Sequence, residues 1–143
     1  VDLALTGICT CAVLRKVTRQ ITKIYEDAMT GCPLTLSQFG IMARVIRSDG
    51  PSLQALSDAL KMDHSTLSRS IKALQNLTFL ELSPSQMDAR IKEVRITPAG
   101  VNAFDLTAPK WRIAQTEIAE KLSTDGQEQF RQTLLNVLSM LDE

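Results

Sequence analysis

Aromatic residues are scarce in this 143-residue chain: four Phe, one Tyr and one Trp, 4% in all. Its core must rest on Leu, Ile, Val and Ala, which favours helices over an all-β sandwich. Histidine occurs once, at His64, and three cysteines stand at irregular positions. Neither a disulfide framework nor a clustered His/Cys metal site is expected from so few ligands, and no cofactor is implied. No glycine-rich phosphate loop is present, and His64 has no Ser/Asp or Cys arrangement around it, so an enzyme is the weakest reading. No apolar run reaches the roughly 18 residues a membrane span needs, and no secretory signal is visible. A cytoplasmic protein with reduced thiols and no membrane partner is the expectation.

Net charge is also lacking. Sixteen Lys and Arg cancel sixteen Asp and Glu. The distribution is uneven, however: residues 61–95 hold six basic against four acidic side chains, and residues 101–143 hold four against seven. The middle is mildly basic and the tail acidic.

Apolar periodicity predicts a long helix from Gly7 to about Thr30, carried by Val13, Val17, Ile21, Ile24 and Ala28. Gly31-Cys32-Pro33 ends it. A second helix starts near Thr35, with Phe39, Met42, Val45 and Ile46 inward, and stops at Ser48-Asp49-Gly50-Pro51. Ser52 caps a short third helix to Leu60 with Leu53, Leu56 and Leu60 inward. After the tight Lys61-Met62 connection, Asp63 caps a fourth, to about Leu77. Two short helices joined this closely make a helix-turn-helix.

The period then becomes two. Leu80-Glu81-Leu82 and Glu93-Val94-Arg95-Ile96 alternate around a polar stretch, which predicts a hairpin with a long tip. Thr97-Pro98 opens a long helix to Leu122, with a kink expected at Pro109. Ser123-Thr124-Asp125-Gly126 breaks it, and a last helix carries Phe130, Leu134, Val137, Leu138 and Leu141 on one face. The order α-α-α-α-β-β-α-α is mainly α with a small β-hairpin: a winged helix-turn-helix with long terminal helices. Those terminal helices are too apolar for a winged helix standing alone, which points to a homodimer.

The fourth helix raises the functional question. At 100° per residue, Leu67, Ile71 and Leu74 share one side. Opposite lie Ser65, Arg69, Lys72 and Asn76, flanked by Thr66, Ser68 and Ala73. A solvated face ordinarily mixes Glu with Lys at i,i+4, yet no carboxylate stands between Ser65 and Leu80. Such a face suits the DNA major groove: phosphate repels carboxylates, hydroxyls allow close approach, and Arg forks onto guanine. In the hairpin tip, Asp88 precedes Arg90 by two and can hold its guanidinium extended for a narrow minor groove. The bland alternatives are a Glu-poor surface helix and an incidental ion pair.

These segments together resemble the multiple-antibiotic-resistance regulator (MarR) family of bacterial winged-helix transcription factors. The residues that carry the likeness are Leu34-Thr35-Leu36-Ser37-Gln38-Phe39, Leu53-Gln54-Ala55-Leu56-Ser57-Asp58-Ala59-Leu60, Ser65-Thr66-Leu67-Ser68-Arg69-Ser70-Ile71, Asp88-Ala89-Arg90 and Ile96-Thr97-Pro98-Ala99-Gly100. The resemblance implies a homodimer joined by residues 1–33 and 101–143, with residues 34–100 as the DNA-binding domain. It further implies a repressor on a pseudo-palindromic double-stranded operator, released by a small-molecule effector or an oxidant. On this carry-over Ser65, Thr66, Ser68, Arg69 and Lys72 face the major groove, and Arg90, beside Asp88, the minor groove. Family members often have Arg in the first wing strand, where this chain has Leu82-Ser83, so weaker wing binding is expected.

Three features stay open. Cys9 and Cys11 are either small buried hydrophobes or oxidant-sensing thiols near a helix start. Relatives that sense peroxide support the thiol with tyrosines, and the single Tyr25 argues against that mechanism here. Arg15 and Arg19 form a basic stripe with Lys23: a solvated face or the contact for an anionic effector. Trp111 is core or dimer packing, or a ligand platform. The rival to DNA binding is a dimeric helical ligand-binding or interaction protein of the same fold.

Overall fold

The computed structural model describes residue 7 and residues 9–142. Within them six helices and one hairpin follow the expected order: α1 (Thr10–Ala28), α2 (Leu36–Ser48), α3 (Leu53–Leu60), α4 (His64–Asn76), β1 (Leu80–Pro84), β2 (Lys92–Ile96), α5 (Pro98–Leu122) and α6 (Thr124–Leu141). The chain divides into two compact units, residues 31–109 and residues 1–30 with 110–143.

The first unit is the winged helix. Thr35 caps α2 through a capping box, its hydroxyl accepting the Gln38 N–H while the Gln38 side chain accepts the Thr35 N–H. Ser52 and Asp63 cap α3 and α4 by accepting the Ala55 and Thr66 N–H groups. Each cap supplies about 1 kcal/mol of local stability. Asp49 and Lys61 end the second and third helices in the left-handed region, φ 50° and 52°.

The core joins Phe39, Ile41, Met42 and Val45 of α2, Leu56 of α3, Leu67, Ile71 and Leu74 of α4, and Leu80 and Val94 of the wing. Each such side chain contributes about 1.5–3 kcal/mol of burial. Phe104 of α5 stacks on Phe39 with ring centroids 4.4 Å apart. The strands pair antiparallel, Leu80 with Ile96 through Pro84 with Lys92, leaving a seven-residue tip, 85–91. A further bridge joins Ser52 to Glu93, and Val94 donates to the Pro51 carbonyl at 2.9 Å, so the wing base is tied to the start of α3.

Three details depart from the periodicity. Ile46 is 44% exposed and Ile41 is buried in its place. Gly126 lies inside α6, its N–H capped by Ser123, which alone forms the break. Helix α5 runs through Pro109 as one element. The hydroxyl of the fully buried Thr107 donates to the Ala103 carbonyl.

The second unit comprises α1, the later part of α5, and α6. Tyr25 and Trp111 stack at 6.2 Å, so the tryptophan packs on a neighbouring ring. Burial raises the Tyr25 phenol above its ordinary pKa. No residue of α1 or α6 is buried in the single chain. Among the described residues no helix is long and apolar enough to cross a membrane, and no group of three metal-binding side chains occurs.

Candidate nucleic-acid interface

The fourth helix turns Leu67, Ile71 and Leu74 wholly into the core, which forces the opposite face outward. Ser65, Arg69 and Lys72 are exposed, with Thr66 and Ser68 half-buried at the flanks. All five residues proposed for the major groove therefore lie on or beside one solvent-facing stripe. Lys72 has no ion-pair partner among the described residues.

One feature of that stripe was hidden in the sequence. Asp63 does more than cap the helix: its carboxylate accepts the Ser65 hydroxyl at 2.6 Å and the Thr66 hydroxyl at 2.6 Å, besides the Thr66 N–H at 3.0 Å. The Ser65 bond, then the two from Thr66, hold the Asp63 carboxyl well below the usual carboxylate range. Arg69 in turn reaches back from Nη2 to the Thr66 hydroxyl at 3.4 Å. Ser68 Oγ lies 3.3 Å from Nδ1 of His64, so the sole histidine serves the first turn of α4.

The wing tip is built around a second aspartate. Asp88 accepts the Arg90 N–H at 3.0 Å, fixing the turn, and grips the guanidinium with both oxygens, Nε at 3.1 Å and Nη2 at 3.0 Å. Arg90 is 90% exposed and Asp88 34%. An ion pair this open adds little stability. Its effect is to hold a positive fork away from the sheet. The Arg90 bonds depress the Asp88 pKa and raise that of Arg90, so both remain charged.

At the wing base Arg95 bonds Glu93 at 2.9 Å and Asp49 at 3.4 Å. A Cβ on Gly50, whose φ is +80°, would stand 2.7 Å from the Arg95 guanidinium carbon. The positive φ is what favours glycine there, since the guanidinium ends a flexible, half-exposed side chain that can shift. Sequence reading missed this clasp because its partners stand 46 residues apart.

In the other unit, Cys9 is the extended N-cap of α1 and Cys11 lies in its first turn; both thiols are exposed in the single chain, not buried as small hydrophobes. Arg15 and Arg19 are exposed on α1, while Lys23 pairs with Asp27 at 2.8 Å, which raises the lysine pKa. An apolar groove between α1, α5 and α6 is lined by Val17, Ile21, Ile24, Ile118, Leu122 and Phe130, with Lys16 and Lys121 among its other lining residues. Arg15 and Arg19 stand outside that lining.

Residues 33–91, from the turn before α2 through the wing tip, match the MarR family. The match takes in 59 of the 143 residues and shows that this segment is similar to the MarR family.

A curated relative, the uncharacterised HTH-type transcriptional regulator YybA of Bacillus subtilis, is 24% identical over 90 residues. The match covers 63% of this chain and 60% of YybA, so it spans less than two thirds of that relative. Among solved structures, a mutant MarR from E. coli complexed with operator DNA superposes with a TM-score of 0.85 at 19% identity, covering 96% of this chain and 99% of that one. The M. tuberculosis regulator MosR in complex with DNA gives 0.83 at 23% identity, over 94% and 97%. At these identities the structures establish the shared fold.

Proposed function

We propose that this chain is a sequence-specific DNA-binding regulator, a repressor, that holds a pseudo-palindromic operator as a homodimer. The observation that carries the reading is the outward face of α4: Ser65, Arg69 and Lys72 exposed, with no carboxylate from Ser65 to Leu80. Arg69 offers a fork for a base edge, Lys72 a point charge for phosphate, and Thr66 and Ser68 flank them. Arg90, extended by Asp88, is the minor-groove contact. Solved proteins of the same fold, matched over more than nine-tenths of this chain, have been crystallised with DNA.

Release belongs to the same proposal. One route is a small anionic effector meeting Arg15 or Arg19, which have no ion-pair partner among the described residues. A relative by fold, PcaV of Streptomyces coelicolor, was solved with its natural ligand. The other route is oxidation of the exposed Cys9 or Cys11.

Selection of bound duplexes from a random pool tests the reading. The expected product is a site of dyad symmetry with half-site centres about one helical turn apart, since a two-fold dimer sets its recognition helices in successive major grooves. Binding without sequence preference, or none at moderate salt, would favour the dimeric ligand-binding alternative. Peroxide treatment of the bound complex, in the wild type and in Cys9→Ser and Cys11→Ser, separates the two release routes.

A further inference from the structure

We propose that Asp63 is a positioning residue for base readout: it fixes the hydroxyl proton of Ser65 so that Ser65 meets DNA as a hydrogen-bond acceptor, paired with the exocyclic amine of adenine or cytosine. The inference rests on the reading of α4 as the recognition helix.

Its warrant is a donor and acceptor count. An ionised carboxylate can only accept, so the protons of both 2.6 Å contacts belong to the hydroxyls of Ser65 and Thr66. A hydroxyl has one proton and two lone pairs. Once the proton is committed, Ser65 has only lone pairs to offer outward. Phosphate oxygens, guanine O6 and N7, and thymine O4 are all acceptors and find nothing to bond. Adenine N6 and cytosine N4 are the major-groove donors, and they do. The carboxylate at the head of the helix also repels phosphate, turning that end of α4 from backbone grip toward base discrimination. Thr66 is constrained likewise: its proton goes to Asp63 at 2.6 Å and one lone pair faces Nη2 of Arg69 at 3.4 Å. An ordered line thus runs from Asp63 through Thr66 to Arg69, leaving the remaining guanidinium donors for a base.

The experiment compares wild type, Asp63→Asn and Ser65→Ala, each as the full chain, by selection from a random duplex pool and by affinity for the selected and scrambled duplexes. Asn caps a helix as well as Asp, so Asp63→Asn should keep the thermal midpoint. It can no longer accept both hydroxyl protons, because one of its two groups is a donor. The wild type should prefer adenine or cytosine at one position per half-site on the strand Ser65 faces. Both variants should relax that position by on the order of tenfold, and Asp63→Asn alone should bind scrambled DNA more tightly, having lost a negative charge. A wild type that selects a site whose preferences neither variant moves overturns this inference and leaves the recognition helix standing. The same holds if the relaxed position prefers guanine or thymine. A wild type that selects no sequence overturns the recognition-helix reading, and this inference with it.

Discussion

The hydroxyl of Thr97 donates to the carbonyl oxygen of Thr78 at 2.6 Å, and so ties the start of α5 to the end of α4. Thr78 stands at φ 64°, an unfavourable region for a β-branched residue. It closes a Schellman motif, with Thr78 N–H bonded to Gln75 and Phe79 N–H bonded to Leu74. Thr97 also accepts the Gly100 N–H at 3.0 Å as the cap of α5, and its own N–H bonds the Phe79 carbonyl. One threonine therefore serves the end of α4, the wing exit and the next helix together.

Thr97→Val, which keeps the shape and removes the hydroxyl, should cost about 2 kcal/mol, the sum of a lost cap and an unsatisfied carbonyl. Chemical denaturation measures it. A loss below the experimental error would mean that water replaces both bonds.

Much of this architecture was legible beforehand, and the exceptions have a common cause. Helix ends were announced by residues that act locally: Thr35, Ser52 and Asp63 each cap within three residues, and Asp49-Gly50 and Lys61 stop helices by their own backbone conformation. The Asp88–Arg90 grip is equally local and was anticipated from a spacing of two. At 100° per residue Ile46 falls inside the apolar arc of α2, between Met42 and Phe39, and Ile41 at its edge beside Val45, so only the surrounding packing buries Ile41 and leaves Ile46 open. Arg95 over Gly50 needs the wing folded back on the end of α2, which no local pattern encodes. The Asp63 contacts to two hydroxyls depend on rotamers, and a sequence does not carry rotamers. The apolar faces of α1 and α6 were read correctly as faces, yet they remain open in a single chain.

Those open faces lead to the second prediction. Val13 and Leu14 of α1 and Leu134, Leu135, Val137 and Leu138 of α6 are 38–49% exposed. Covering them with a second copy would make folding and association one event, so the thermal midpoint should rise with protein concentration. Leu135→Glu with Leu138→Glu should abolish the dimer and with it most of the fold. A folded monomer seen by sedimentation at micromolar concentration would show that the faces need no partner.

A pH prediction follows from Asp63. Its folded pKa is depressed by the Ser65 and Thr66 bonds, so its stabilisation is present above the unfolded value of about 3.9 and is lost as pH falls through the lower folded value. The stability gap between wild type and Asp63→Ala, which loses the cap and the carboxylate together, should therefore stay level from neutral pH to about 4 and narrow only below it. Paired denaturation curves at stepwise lower pH measure this gap. A gap that widens in acid would contradict the hydrogen-bond pattern at the head of α4.

The last prediction separates the two arginines. Arg69 projects from a helix whose opposite side is locked by Leu67 and Ile71, and on the proposed reading that backing holds its fork in register with a base edge. Arg69→Ala should cost about 1–3 kcal/mol on the operator and relax one position per half-site, with a much smaller loss on scrambled DNA. Arg90 sits 90% exposed on a hairpin tip, oriented by Asp88 rather than by a packed element. It suits a groove recognised by width and charge, so Arg90→Ala should weaken operator and scrambled duplex alike and reduce the salt slope by about one unit per lost contact. Asp88→Ala, which keeps the charge of Arg90 and frees its guanidinium, should fall between wild type and Arg90→Ala. Titrations of all three variants across a salt series decide the matter. Equal losses on both duplexes for Arg69→Ala would mean that α4 grips phosphate, and that the face opposite Leu67 and Ile71 does not read sequence.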